Sequence, residues 1–272
     1  MATALSQITK TWTNPYNSKM SLSSAGFGGA LLSGQYASTA GASGVYQVYG
    51  FIDPSAPAVQ KGDPGVPVGL ILNWRSIQQG GKPDPSWNYV SGMGGQLICN
   101  AAGDVVINVN HALIASNPLP PAVNDAGFYV DRLEYDAAQT QDSDATDQDA
   151  MQDPPADLAT QGTVVYVDTQ DPTTKLVMME QPSAAAFWAA IELGGTDAIL
   201  VGTCNTGYTS ALGPYQSIAF CGISSATQAI SLSGWLDHST NTLTLQEYVV
   251  GPQPWDLRFF QARGRTITMK PQ

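Results

Sequence analysis

Positive charge is what this chain has least of. Lys and Arg total 11 against 22 Asp and Glu in 272 residues, a net charge of −11. A surface of that sign repels nucleic acid and anionic lipid, so neither is an expected partner. Cysteine is scarce too. Cys99, Cys204 and Cys221 are odd in number and unpatterned in spacing, which excludes a disulfide framework and a zinc cluster and leaves buried free thiols. No run reaches the roughly 20 apolar residues of a membrane-spanning helix, and the N-terminus lacks a charged-then-apolar signal. The expected location is cytoplasmic, or secreted without a recognisable signal. Catalytic motifs are missing as well: no Ser-His-Asp order, reactive Cys with adjacent His, nucleophile elbow or phosphate-binding loop occurs, and GFGG at 26–29 is a plain turn. The chain does not read as an enzyme, and no cofactor or metal is expected.

Helical periodicity is nearly absent, and short apolar-rich runs with turn residues between them take its place. After WTNPYNSKM (12–20) come MSLSS, LLSGQYAS, VYQVYGFID, VGLILNW, WNYVSGMGGQLI, DVVINVNHALIAS and GFYVDRLEYDAAQ. These are eight candidate strands before residue 140, most joined by connections short enough for antiparallel neighbours. An eight-stranded up-and-down barrel closes its own edges and holds one small ligand. Residues 141–161 interrupt the pattern with six Asp, a Pro pair and no basic residue, the composition of a linker. A helix-loop-helix calcium site is the alternative, but the run lacks the central Gly and terminal Glu. From Gly162 about eight further strands run from GTVVYVD to WDLRFFQARGRTITM. Their order and spacing echo the first set. The fold class is therefore all-β, two tandem eight-stranded antiparallel up-and-down barrels, at 1–140 and 162–272.

WTNPYNSKM, LSGQY followed by Ser38, GLILNW, WNYVSG and the late strand ending in Asp136 resemble the avidin and streptavidin family in order and spacing. The NSKM turn is closest to the tamavidins. The resemblance implies biotin binding in the open barrel end. Asn14, Ser18 and Tyr36 match the residues that surround the ureido oxygen, and Ser38 and Asp136 match those that accept its two N–H groups. A buried urea left unpaired costs several kcal/mol; three donors and two acceptors on a preformed scaffold meet that need.

The apolar half departs from the family pattern. Trp74 keeps one pocket tryptophan and Leu113 fits a neighbouring apolar position. Further wall positions fall on Val90 and His111, the tryptophan donated by a neighbouring subunit falls on Phe128, and Asn88 stands where a Thr meets the ring sulfur. Each missing indole removes buried area worth about 25 cal/mol per Å², so affinity below the strongest avidins is expected. His111 shares a face with Val105, Ile107, Val109 and Leu113. It reads either as a satisfied core histidine or as a pH-sensitive ligand contact.

The second half reads as a degenerate copy. Ile191 falls at the Tyr36 position, Leu193 at Ser38, Arg263 at Asp136 and Phe220 at Trp74, while Trp255 is a candidate to close over the first pocket. Two functions from different classes follow: binding of biotin or a similar small molecule by the first barrel, or a lectin-like or toxin-like defence protein that reuses the scaffold. A homodimer of tandem chains would array four barrels.

Overall fold

The computed structural model describes residues 2–38, 44–77, 88–117, 125–138, 151, 154, 158, 162–180, 182 and 186–272. Most of the acidic stretch 141–161 lies outside the described residues. The first barrel is built from β1 (Thr11–Thr13), β2 (Lys19–Gly26), β3 (Leu31–Ser38), β4 (Gly44–Ile52), β5 (Val66–Ser76), β6 (Tyr89–Cys99), β7 (Val105–Ala115) and β8 (Gly127–Ala137). Neighbours pair antiparallel in chain order, and β1 closes on β8 through Trp12↔Ala137 and Thr13↔Asp136. The second repeats this with β9 (Thr163–Asp168), β10 (Lys175–Met179), β11 (Phe187–Leu193), β12 (Thr196–Cys204), β13 (Tyr215–Ser224), β14 (Ala229–Asp237), β15 (Thr242–Val250) and β16 (Ala262–Pro271). Both expected barrels are present. All three cysteines are free and buried.

Period-two alternation explains which side chains fill each barrel. On β7, Ile107 and Val109 point into the first core beside Leu70, Met93, Leu133 and Tyr135. Ala112 and Ile114 point the other way, into an apolar layer shared with Val201, Ala219 and Cys221 of the second barrel. Strand β6 is buried along its whole length because both of its faces are covered. The two barrels approach closely there. A Cβ added to Gly92 would lie 2.8 Å from Ser233 Cβ, and one added to Gly69 would lie 3.1 Å from Cys221 Cβ. Polar groups fix the docking: Asn73 Nδ2 donates to Thr203 Oγ1 (2.9 Å) and to the Cys204 carbonyl (3.0 Å).

One element was not anticipated from the sequence. Helix α1 (Ala4–Ile8), capped reciprocally by Thr3 and Ser6, packs on the first core at the end of the barrel remote from the β1–β2 turn. Ala4 and Ile8 are fully buried, and Trp12 Nε1 donates to the Ile8 carbonyl at 2.8 Å. Five residues are too few to show periodicity. A single turn of this kind is held by its cap and by tertiary burial.

Candidate functional site

Among the described residues the opposite end of the first barrel is open, and its chemistry begins in the turn from β1 to β2. Asn14 Oδ1 accepts from the backbone N–H groups of Tyr16 (3.1 Å) and Ser18 (3.0 Å), while the Asn14 N–H donates to the Ser18 carbonyl (3.1 Å). Asn17 takes a left-handed φ of 60° to complete the turn, a conformation asparagine tolerates. With its carbonyl spent on the turn, Asn14 aims its Nδ2 inward and donates to Tyr36 Oη at 3.2 Å. Asn14, Ser18, Tyr36 and Ser38 are all buried.

Aromatic rings form the adjoining wall. Trp74 meets Tyr36 edge-on at 5.9 Å between centroids and Tyr46 at 5.0 Å. Its indole N–H donates to Ser91 Oγ at 2.8 Å, and the same hydroxyl lies 2.8 Å from His111 Nε2. Burial pulls the His111 imidazole down to about 4, against a smaller opposing pull from Asp131, so the ring is neutral at neutral pH. Tyr135 closes the base. Its hydroxyl is raised well above the ordinary range by burial first and by the neighbouring Tyr36 second.

These groups enclose a cavity of about 290 Å³. Seven residues expected from the sequence line it: Asn14, Ser18, Tyr36, Ser38, Trp74, His111 and Leu113. Two do not. Asp136 is exposed on the outer side of β8, whose inward side carries buried Leu133 and Tyr135; the carboxylate that lines the cavity is Asp131, which faces His111 across the β7–β8 ladder. Sequence spacing left the parity of β8 open, and one residue of slip turns every side chain to the other face. Asn88 also lies outside the lining, its Oδ1 accepting from Asn205 Nδ2 of the second barrel at 2.8 Å. Of the other wall expectations, Val90 turns away into the layer between the barrels, and Phe128 stacks on Trp235 at 4.4 Å.

Trp255 does not close the cavity. It opens a short 3-10 stretch, Trp255–Phe260, with the Arg258 guanidinium 4.0 Å over its ring. That stretch sits against the outer side of β8, where Arg132 Nη2 donates to the Arg258 carbonyl at 3.0 Å. Residues that the sequence reading missed are Tyr16, Leu72, Met93, Tyr129, Val130, Asp131 and Leu133 in the lining, with Ser91 and Tyr135 behind it. The acid expected in the site is Asp136; Asp131 and Asp136 have opposite parity on β8, and the ladder shows which of them faces inward.

The registers also place the second barrel's counterparts. The Asp168 N–H donates to the Thr174 carbonyl (3.0 Å) as Asn14 does to Ser18, and from there Ile191 matches Tyr36 and Leu193 matches Ser38 as expected. Around the other side Arg265 matches Asp131 and Glu247 matches His111. Ser224, rather than Phe220, stands at the Trp74 position, since Phe220 pairs as Leu70 does. Arg263 falls opposite Tyr129, and Lys270 is the counterpart of Asp136.

Among the described residues no cluster of His, Cys, Asp or Glu is placed to hold a metal ion, and no helix is long and apolar enough to cross a membrane. No family model matches the chain, and no curated protein matches it. Solved structures similar to it include xenavidin, 14% identical, with 47% of this chain and 95% of that one covered at a TM-score of 0.35. A biotin-binding protein from chicken is 17% identical over 49% of this chain and 97% of its own, with a TM-score of 0.36. A low-affinity mutant of shwanavidin is 16% identical over 51% and 97%, with a TM-score of 0.35. Each of these chains, covered almost whole, spans about half of this one.

Proposed function

We propose that the first barrel binds biotin or a biotin-like cyclic urea. The observation that carries this reading is the convergence of Asn14, Ser18, Tyr36 and Ser38 with the Trp74 indole on one cavity of about 290 Å³. That volume is near the low end for a small-ligand site and suits a single compact molecule. The Tyr36 and Ser18 hydroxyls supply donors for one carbonyl oxygen, with the Asn14 amide beside them holding Tyr36 in place. Ser38 Oγ and the Asp131 carboxylate supply acceptors for two N–H groups, and a carboxylate acceptor makes the stronger, charge-assisted bond. Asn14 is preorganised by its own turn, so little ordering opposes binding.

The apolar wall supports weaker binding than an all-indole pocket gives. Among the described residues one tryptophan lines the cavity, with Leu72, Met93, His111 and Leu113 along the wall; each smaller side chain covers less ligand surface. The barrel acts here as a binding scaffold. Titration calorimetry of the intact chain with biotin, alongside Tyr36→Phe, tests the reading. Heat of binding at one site per chain that falls in the variant supports it, and absence of binding at millimolar biotin sinks it.

A further inference from the structure

The second barrel is open at the corresponding end, and the opening is larger, about 700 Å³. The registers explain the extra space. Tyr36, Tyr46 and Trp74 of the first barrel are replaced by Ile191, Ala198 and Ser224. Three rings are gone and nothing of similar size fills their place.

The inner wall of this cavity carries charge. Arg265 lines it, donating from Nε and Nη2 to the Glu247 carboxylate (3.1 and 3.4 Å) and from Nη2 to Thr174 Oγ1 (3.4 Å). Its Nη1 lies 3.4 Å from Asp168 Oδ2, an ion-pair contact without a hydrogen bond. Glu247 and Asp168 are buried, whereas the Arg265 side chain is 37% exposed, so the carboxylates hold the guanidinium from behind and its Nη1 hydrogens remain for a ligand. Burying such carboxylates costs more desolvation than apolar packing would, and they stand apart from the apolar cluster that fills most of this core. Nearer the mouth, Arg263 and the amides of Gln228 and Gln253 line the same cavity with no hydrogen bond from their side chains to the described protein. The Phe260 ring stands at the rim, 76% exposed.

We propose that the second barrel is a binding site in its own right, for a neutral saccharide. Charge does not favour an anion: Arg265 is already paired with the buried Glu247 and Asp168, and Asp171 shares the lining with Arg263, so little net positive charge is left to attract a carboxylate or phosphate ligand. Amide heads that donate and accept, beside guanidinium heads that donate, suit ligand hydroxyls, which do both. An exposed ring at the rim offers a face for the C–H side of a pyranose, as aromatic side chains do for flat apolar surfaces. The volume holds one or two sugar rings. This site is independent of the first barrel's ligand.

The test uses the intact chain with lactose, maltose, cellobiose and chitobiose, with glucuronate as the anionic comparison, read by saturation-transfer NMR and calorimetry. At least one neutral disaccharide binds at one site per chain, is not displaced by biotin, and is weakened about tenfold by Phe260→Ala, a rim substitution outside the core. Arg265→Lys, which keeps the charge and loses the planar fork, weakens it as well. No saturation transfer from any neutral disaccharide at millimolar concentration overturns the proposal. So does tighter binding of glucuronate, displacement by biotin, or equal binding by Phe260→Ala and wild type.

Discussion

Trp74 and His111 share one hydroxyl: the indole nitrogen and imidazole Nε2 each lie 2.8 Å from Ser91 Oγ. An indole N–H can only donate, so Ser91 accepts from Trp74; its second lone pair or its one hydrogen then meets His111 Nε2, so the hydroxyl pairs with the neutral imidazole in either tautomer.

This geometry sets a pH dependence. The folded-state value of about 4 lies below the ordinary histidine value of 6.5, so between them the unfolded chain binds more protons at this group. The neutral ring's contribution is fully present above about 6.5 and is lost as pH falls towards 4, an effect on the order of 3 kcal/mol. Urea titrations at neutral pH and near pH 4.5 should show a loss of stability in wild type that is smaller in His111→Gln. Identical losses in the two proteins would contradict the assignment.

The two candidate acids make opposite predictions. Asp131→Asn weakens binding of a urea ligand by roughly tenfold or more, because a charge-assisted acceptor becomes a neutral one. Asp136→Asn leaves affinity unchanged, its side chain being on the outer face. Calorimetry on both variants decides; a larger effect at Asp136 would mean that β8 is slipped by one residue.

Close approach between the barrels is a stability element. Gly92→Val forces a branched side chain against Ser233, whose Cβ would lie 2.8 Å from the new Cβ. A cost of about 1 to 3 kcal/mol is expected. Gly251→Ala, with open space at its position, serves as the control. Equal urea midpoints for the two variants would show that the barrels do not dock this way.

In the second barrel, Arg265→Leu alone strands the buried Glu247 carboxylate and is expected to cost about 3 kcal/mol. Replacing Glu247 by Leu as well restores part of that loss, the remainder staying with Asp168, whose buried carboxylate also loses its 3.4 Å contact to Arg265. A double variant no more stable than the single one would argue against the pairing.

Much of this molecule was legible along the chain because strand alternation and turn chemistry are local. VVINVNHALIA alternates apolar and polar faces within one strand, and Asn14 to Ser18 closes its own turn through atoms four residues apart. Sixteen strands and two barrels follow from such patterns, whereas Asn14, Ser18, Tyr36 and Ser38 were singled out by the resemblance to the avidin family, and they line one cavity. The local patterns are silent on parity and on neighbours. Whether Asp131 or Asp136 reaches the cavity depends on how β8 is set in its ladders with β1 and β7, a contact made across more than a hundred residues for β1. Val90 reads as apolar in either setting, and only the docked second barrel shows that it faces outward. The second barrel reads as a failed copy when compared position by position with the first. Only the closed ladder brings Glu247, Asp168 and Arg265 together, because the three lie on different strands and meet through pairings that sequence spacing does not encode.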